Sequence, residues 1–181
     1  PGNTVVYSRV LDTTISIPRK LYEEACKKGI DVESFIVDLL ADKLGMDPVE
    51  EAEIHLELAE KFLTEGVELV DKDPIQASEK LYKAAEECIK AIAKYLKLED
   101  ILSKVRSRGR WTITDLEKTA RIAAERIGED IYVGWDRANY LHIWGFHEAK
   151  IDVQSVKARI PYIEKMVKKL REELKKKQIQ T

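Results

Sequence analysis

Two histidines stand five residues apart late in the chain, in WDRANYLHIWGFHEAK (residues 135–150). His142 and His147 share this stretch with Asp136, Arg137 and Asn139, and with two of the three tryptophans, Trp135 and Trp144. An imidazole titrates near neutral pH and can carry a proton in catalysis. A guanidinium offers a planar fork of donors to a phosphate or a developing oxyanion. Arg137 and His142 are therefore the candidate catalytic pair. Asn139 precedes the histidine by three residues, about 60° around a helix, where it can orient the ring. Arg137 and His142 lie about 140° apart around an ideal helix. They converge only if the helix distorts near Gly145, if Arg137 reaches across, or if a second subunit supplies a partner. The same residues fit another reading. A helix that also carries Tyr140, Leu141, Ile143 and Phe146 can bury its Arg, Asn and His in a bundle seam or dimer interface, with Asp136 partnering Arg137. No metal is expected: His142 and His147 do not share a helix face as an i, i+4 zinc pair does, so Asp136, His142, His147 and Glu148 form no ligand set. No cofactor is expected either.

The elements that must position these residues are helices. Residues 4–17 are the only strand region, TVVYSRV followed by TTISIP, in which Ile15 and Ile17 alternate with Thr14 and Ser16. Pro18 opens a helix that Gly29 closes. Asp31 caps a second, closed by Gly45, with an apolar stripe of Phe35, Leu39, Leu40 and Leu44. A long helix over 49–70 places Ile54, Leu58, Phe62 and Leu69 on one face. Pro74 opens the next, to about residue 98, with Leu81, Ala85, Cys88, Ile92 and Leu96 in line. Residues 99–111 are the most irregular. Thr114 and Glu117 read as a capping box for a helix over 114–127. Two more helices follow, over 130–147 and over 151–177, the last with Val153, Val156, Ile160, Ile163, Val167, Leu170 and Leu174 at heptad-like spacing. The expected fold is mainly α: a small strand-helix-helix element over 1–47 and a five-helix antiparallel bundle over 48–181.

Composition agrees with a helical chain. Charged residues reach 35% against an ordinary ~25%, and the 181 residues include only 8 Gly and 5 Pro. The net charge of −2 argues against a surface that clamps nucleic acid everywhere and leaves room for a local basic patch. Two asparagines and four glutamines among many Lys and Glu suggest a heat-adapted protein. Cys26 and Cys88 read as buried, reduced thiols of a cytoplasmic protein. No apolar run approaches the ~18 residues of a membrane span, and no signal peptide is expected. Pro1 and Gly2, with no Met ahead of them, read as the remnant of a longer or tagged chain.

One local basic patch stands out. Lys104, Arg106, Arg108 and Arg110 alternate through KVRSRGRW and end on Trp111, a pattern that can grip phosphate and stack a base. A solvated loop is the other reading. The seven Lys or Arg between Lys165 and Lys177 suit a solvated helix C-terminus, where cations meet the helix dipole.

The spacing Arg137-x4-His142 resembles the R-x4-6-H motif of the HEPN superfamily, and PIQASEKLYKAAEECIKAIAKYLK resembles its second helix. LHIWGFHEA (residues 141–149) is similar to a block of the archaeal PaREP family, a HEPN relative. The resemblance covers roughly residues 10–175. It implies a HEPN-like bundle, a homodimer, and metal-independent endoribonuclease chemistry in which the RNA 2′-hydroxyl attacks its own phosphodiester. Under it His142 moves the proton and Arg137 holds the phosphorane charge. TTISIPRKLYEEACKKGIDVESFIVDLLADKLG resembles a ribbon-helix-helix module. In that module Asp12, Thr14 and Ser16 are the DNA-reading positions. An Asp facing phosphates is wrong for DNA, and residues 1–48 carry six Lys or Arg against eight Asp or Glu. The element therefore reads as a dimerisation device rather than a DNA reader. Three functions stay open: a ribonuclease with RNA entering past Arg106–Arg110, a non-catalytic interaction or nucleotide-binding module, and a DNA-binding regulator.

Overall fold

The structure is a computed structural model that describes residues 13–178, with side chains through residue 176. It falls into two compact units that divide between Met46 and Asp47.

In the first unit, α1 (Arg19–Lys27) and α2 (Val32–Leu44) follow a segment without secondary structure. The Asp31 carboxylate accepts the Ser34 N–H at 3.1 Å and starts α2. Gly45 ends it at φ 65°, the left-handed conformation that glycine adopts without cost. The expected strand is absent from the described residues 13–17, and residues 4–12 lie outside them. A lone strand leaves its N–H and C=O groups without a ladder, and Thr13 to Ser16 stay exposed. The DNA-reading arrangement, which needs paired strands, loses its support over these residues. Cys26 is exposed, not buried as expected.

The second unit is helical throughout its described residues, but it does not contain the five helices expected. Its elements are α3 (Pro48–Leu69), α4 (Pro74–Tyr95), α5 (Glu99–Arg108), α6 (Ile113–Arg126), α7 (Glu129–Tyr140), a π turn (Leu141–His147), α8 (Val153–Lys157) and α9 (Ile160–Gln178). Two short helices account for most of the excess. Residues 99–108 of the stretch expected to be irregular form a helix: Ile101 and Leu102 are buried, Glu99 and Asp100 favour the positive N-terminal end, and Gly109 caps α5 at φ 74°. The long terminal helix is broken instead. Pro161 has no N–H and its ring crowds the carbonyl four residues back, so α8 cannot run on into α9. The heptad stripe still faces inward, with Ile163, Val167 and Leu170 fully buried. The box that starts α6 is Thr112 with Asp115, not Thr114 with Glu117.

Helix α4 is the centre of the unit and packs against α3, α6, α7, the π turn, α8 and α9. Its apolar face is buried at Leu81, Ala85, Cys88 and Ile92, and burial pushes the Cys88 thiol up from its ordinary value. Helix α3 runs antiparallel to it, as Glu51 pairs with Lys94, His55 with Glu87 and Glu65 with Lys80. Gly66 lets the two backbones close, since a Cβ there would lie 2.8 Å from Leu81 Cγ. None of the described helices is long and apolar enough to cross a membrane.

Three ionisable groups sit inside this core. His55, Glu87 and Lys90 are all essentially inaccessible. The Nδ1–H of His55 donates to Glu87 Oε2 at 2.7 Å, and Lys90 Nζ donates to Glu87 and Glu86, each at 2.8 Å. Burial pushes the Glu87 carboxyl up, but Lys90 and the His55 hydrogen bond outweigh it and hold it at about 2. Burial pulls Lys90 down, and the charges of Glu87 and Glu86 reverse that, leaving it above its ordinary value. The carboxyl is depressed from 4.5, so its stabilisation is complete above that pH and is lost as pH falls toward 2. Glu87→Gln leaves the buried Lys90 with less compensation and is expected to cost about 3 kcal/mol at pH 7. Urea denaturation of both proteins should show this gap at pH 7 and a narrowing gap below pH 4.5. Equal stability at pH 7 would remove the network from the account.

Candidate functional site

The candidate histidine is placed by a change of helix type. Up to Tyr140, α7 is an α-helix with Ile131, Trp135 and Ala138 buried. Residues 141–147 wind as a π-helix, whose i→i+5 bonding brings residues five apart toward one side. Glu148 N–H continues this pattern by donating to the Ile143 carbonyl at 2.9 Å, and Ala149 closes the segment at φ 49°. Gly145 shows why the wider turn is needed. Its backbone lies on α4, and a Cβ there would meet the Ser78 hydroxyl and come within 2.7 Å of Ser78 Cβ. Ser78 is pinned, its Oγ–H donating to the Pro74 carbonyl at 2.7 Å.

The expected separation of His142 from His147 is thereby reversed. Their Nε2 atoms are 3.1 Å apart, with the rings edge-on at 4.4 Å between centroids. On its other side, His142 Nδ1 lies 2.8 Å from Glu79 Oε2 of α4. A carboxylate only accepts, so Nδ1 carries the hydrogen and Nε2 is left to exchange a proton with His147. The Tyr82 ring stacks on His142 at 4.0 Å. Burial, then the charges of Glu86 and Glu79, push the Tyr82 phenol up, so it stays protonated. The His142 side chain is 25% exposed and Glu79 17%, which leaves an oriented imidazole with an edge open to solvent.

Arg137 does not join this cluster. Its guanidinium lies 3.9 Å from Asp136 and sits over the Tyr162 ring of α9 at 5.4 Å. Asn139 is half-buried and is not one of the ring partners of His142. The basic segment is partly consumed by structure. Arg106 pairs with Glu99 at 2.6 Å, and Arg108 reaches Asp115 and the Arg110 carbonyl. Lys104 and Arg110 are exposed, while Trp111 is half-buried. Among the described residues no group of three or more His, Cys, Asp or Glu is disposed to hold a metal ion. An open hollow of about 410 Å³ lined by Ile113, Thr114, Glu117, Lys118 and Arg121 shares no residue with the histidine pair. Its Glu117 carboxylate is occupied by Tyr132 and Trp135, which donate at 2.7 and 2.6 Å.

Glu79 and Tyr82 are the site residues that sequence reasoning does not find, and it sees His147 without pairing it to His142. Glu79 has no local signal, because it meets His142 only through packing. His147 does have one: two histidines five apart, with a glycine between them, on an otherwise regular helix.

The sequence matches the archaeal PaREP1/PaREP8 family over residues 54–167, which include the α4–α7–π assembly. The chain belongs to the archaeal PaREP1/PaREP8 family. It is similar to a protein of Sulfolobus solfataricus known from a crystal structure, at 36% identity and a TM-score of 0.54, over 68% of this chain and 95% of that one. A solution structure of an Orf c02003 protein is similar at 34% identity and a TM-score of 0.52, over 68% of this chain and 90% of that one. No curated protein matches the chain.

Gly145→Ala tests how this family member holds its histidines. The methyl group must push the π turn off α4, at an expected cost of about 1–3 kcal/mol. Thermal melting should fall and the His142 and His147 imidazole NMR signals should both move. Unmoved signals would mean that the turn does not depend on this contact.

Proposed function

We propose that this PaREP protein is a metal-independent endoribonuclease whose acid–base centre is Glu79–His142–His147, with Arg137 outside the centre. The observation that carries the reading is the pair of imidazoles joined Nε2 to Nε2 at 3.1 Å, one of them held by a carboxylate at 2.8 Å. A base oriented by an acid is the arrangement that activates a nucleophile. Among the described residues no Ser, Thr or Cys is a ring partner of His142. A substrate that brings its own hydroxyl, as RNA does at the 2′ position, meets that chemistry, and the HEPN resemblance points the same way.

In this mechanism RNA opens the bond between the two rings. His142 Nε2 takes the 2′-hydroxyl proton, and Glu79 stabilises the imidazolium that forms. The oxygen attacks phosphorus, and His147 gives its Nε2 proton to the departing 5′-oxygen. The products are a 2′,3′-cyclic phosphate and a 5′-hydroxyl. The base has gained one proton and the acid has lost one. When the rings close again, that proton passes from His142 to His147 and restores the starting state.

The test is cleavage of a mixed RNA pool with EDTA present. The native protein should leave cyclic phosphate ends. His142→Ala and His147→Ala should each lose about 10²–10⁴-fold in rate, and Glu79→Gln should lose less, with folding confirmed by circular dichroism. No cleavage by the native protein would leave the family member as a non-catalytic binding module.

The first unit carries a proposal of its own. We infer that two copies associate through α1 and α2, where Leu21, Tyr22, Phe35, Leu39, Leu40 and Leu44 are all exposed. Leu40→Glu with Leu44→Glu should convert a dimer to a monomer in sedimentation. A monomeric native protein sinks this inference.

A further inference from the structure

Helices α7 and α9 are antiparallel, and their register is fixed at three levels. Gly134 meets Met166, Arg137 lies over Tyr162, and Tyr140 lies under Arg159. One turn further along, Trp144 lies 6.3 Å from Tyr140, and Lys150 sits over its ring at 5.9 Å. The result is a strip of three aromatic rings, each with a cation on its face: Tyr162 of α9 under Arg137 of α7, Tyr140 of α7 under Arg159 just before α9, and Trp144 of the π turn under Lys150. The rings are not buried: Tyr140 is 38% exposed, Trp144 42% and Tyr162 43%. Exposed Ile143 lies between two of them in sequence.

We propose that this strip is a binding surface for single-stranded RNA, separate from the basic segment of α5. The chemistry on the page fits that ligand. Unpaired bases stack on aromatic rings and on guanidinium planes, and the cations meet the phosphates. A purely apolar partner would gain nothing from a cation over every ring. Asp136 beside Arg137 and Glu148, 2.6 Å from Lys150, offset part of the charge. Arg159 has no such neighbour among the described residues: it donates Nη1 to the Ser155 carbonyl at 2.7 Å, and its Nε–H finds no acceptor. Trp144 shares the π turn with His142 and His147, so the strip ends on the element that carries the acid–base pair. The choice of RNA over another anionic aromatic ligand rests on the ribonuclease reading.

The experiment is anisotropy of a short fluorescein-labelled single-stranded RNA, titrated in EDTA at several salt concentrations. The native protein should bind, most tightly at low salt. Trp144→Ala and Tyr162→Ala should each weaken binding about tenfold. Arg159→Gln should lower the slope of log affinity against log salt by about 0.7. Circular dichroism checks that each variant folds, and all three changes lie on exposed or half-buried side chains. Unchanged binding in the aromatic variants, or no binding by the native protein, overturns the proposal. So does a loss of self-association in those variants without an effect on RNA, which would make the strip an interface between copies. Native binding that depends on the strip, without cleavage, keeps this inference and removes the ribonuclease.

Discussion

The backbone of Gly145 lies where a side chain would collide with Ser78, and the candidate site depends on that approach. An α-helix through residues 141–147 would separate His142 from His147 by about 140°. The π turn instead brings their Nε2 atoms within hydrogen-bond distance and turns His142 onto Glu79 and Tyr82. π turns are rare because their hydrogen bonding is less favourable, and they recur at functional sites. Here the turn also ends at Ala149 in the left-handed region, a conformation that costs about 1–3 kcal/mol outside glycine. Two unfavourable backbone choices in nine residues persist only because packing on α4 holds them.

Helix α4 can hold them because its polar side chains are tied down. Glu79, Tyr82, Glu86 and Lys90 recur at helical spacing. Glu79 holds His142, Tyr82 stacks on it and bonds to Glu86, Glu86 holds Lys90, Lys90 holds Glu87, and Glu87 holds His55. A charged group in the interior is costly unless every member of its network is paired. Paired, it cannot drift, and its immobility passes to the stacked Tyr82 ring and so to His142. The buried charges, which are a weak source of net stability, serve here as a fixed platform under the imidazole.

This division explains what the sequence shows and what it hides. The long helices are legible because their causes are local: Asp47 and Asp73 at N-caps, Pro48 and Pro74 at first positions, and apolar residues at helical period. The segment 135–147 stands out in the sequence because few stretches combine so many titratable and aromatic groups. Its internal geometry is not legible. The Arg137–His142 spacing matches a motif, yet each residue is captured by a different neighbour, Tyr162 of α9 and Glu79 of α4. Periodicity counts residues at a fixed angle, so it fails where the angle changes. Residues 99–111 fail for another reason. Their charges suggest a loop, but two buried side chains and a glycine cap are enough for a short helix.

Two glycines show how one helix serves two neighbours. Gly134 and Gly145 are eleven residues apart, and in an unbroken α-helix they would lie within about 20° of each other. Both would then face the same partner. Gly134 instead meets Met166 and the Tyr162 carbonyl on α9, while Gly145 meets Ser78 on α4. The π winding between them accounts for the difference. It sets the α9 side, with Arg137 and Tyr140 in register with Tyr162 and Arg159, apart from the α4 side, with His142 on Glu79. A straight helix with the same residues would turn His147 onto the side of Tyr140 and leave His142 about 140° away from it. The change of winding is therefore what gives the helix an aromatic and cationic side toward α9 and a histidine side toward α4.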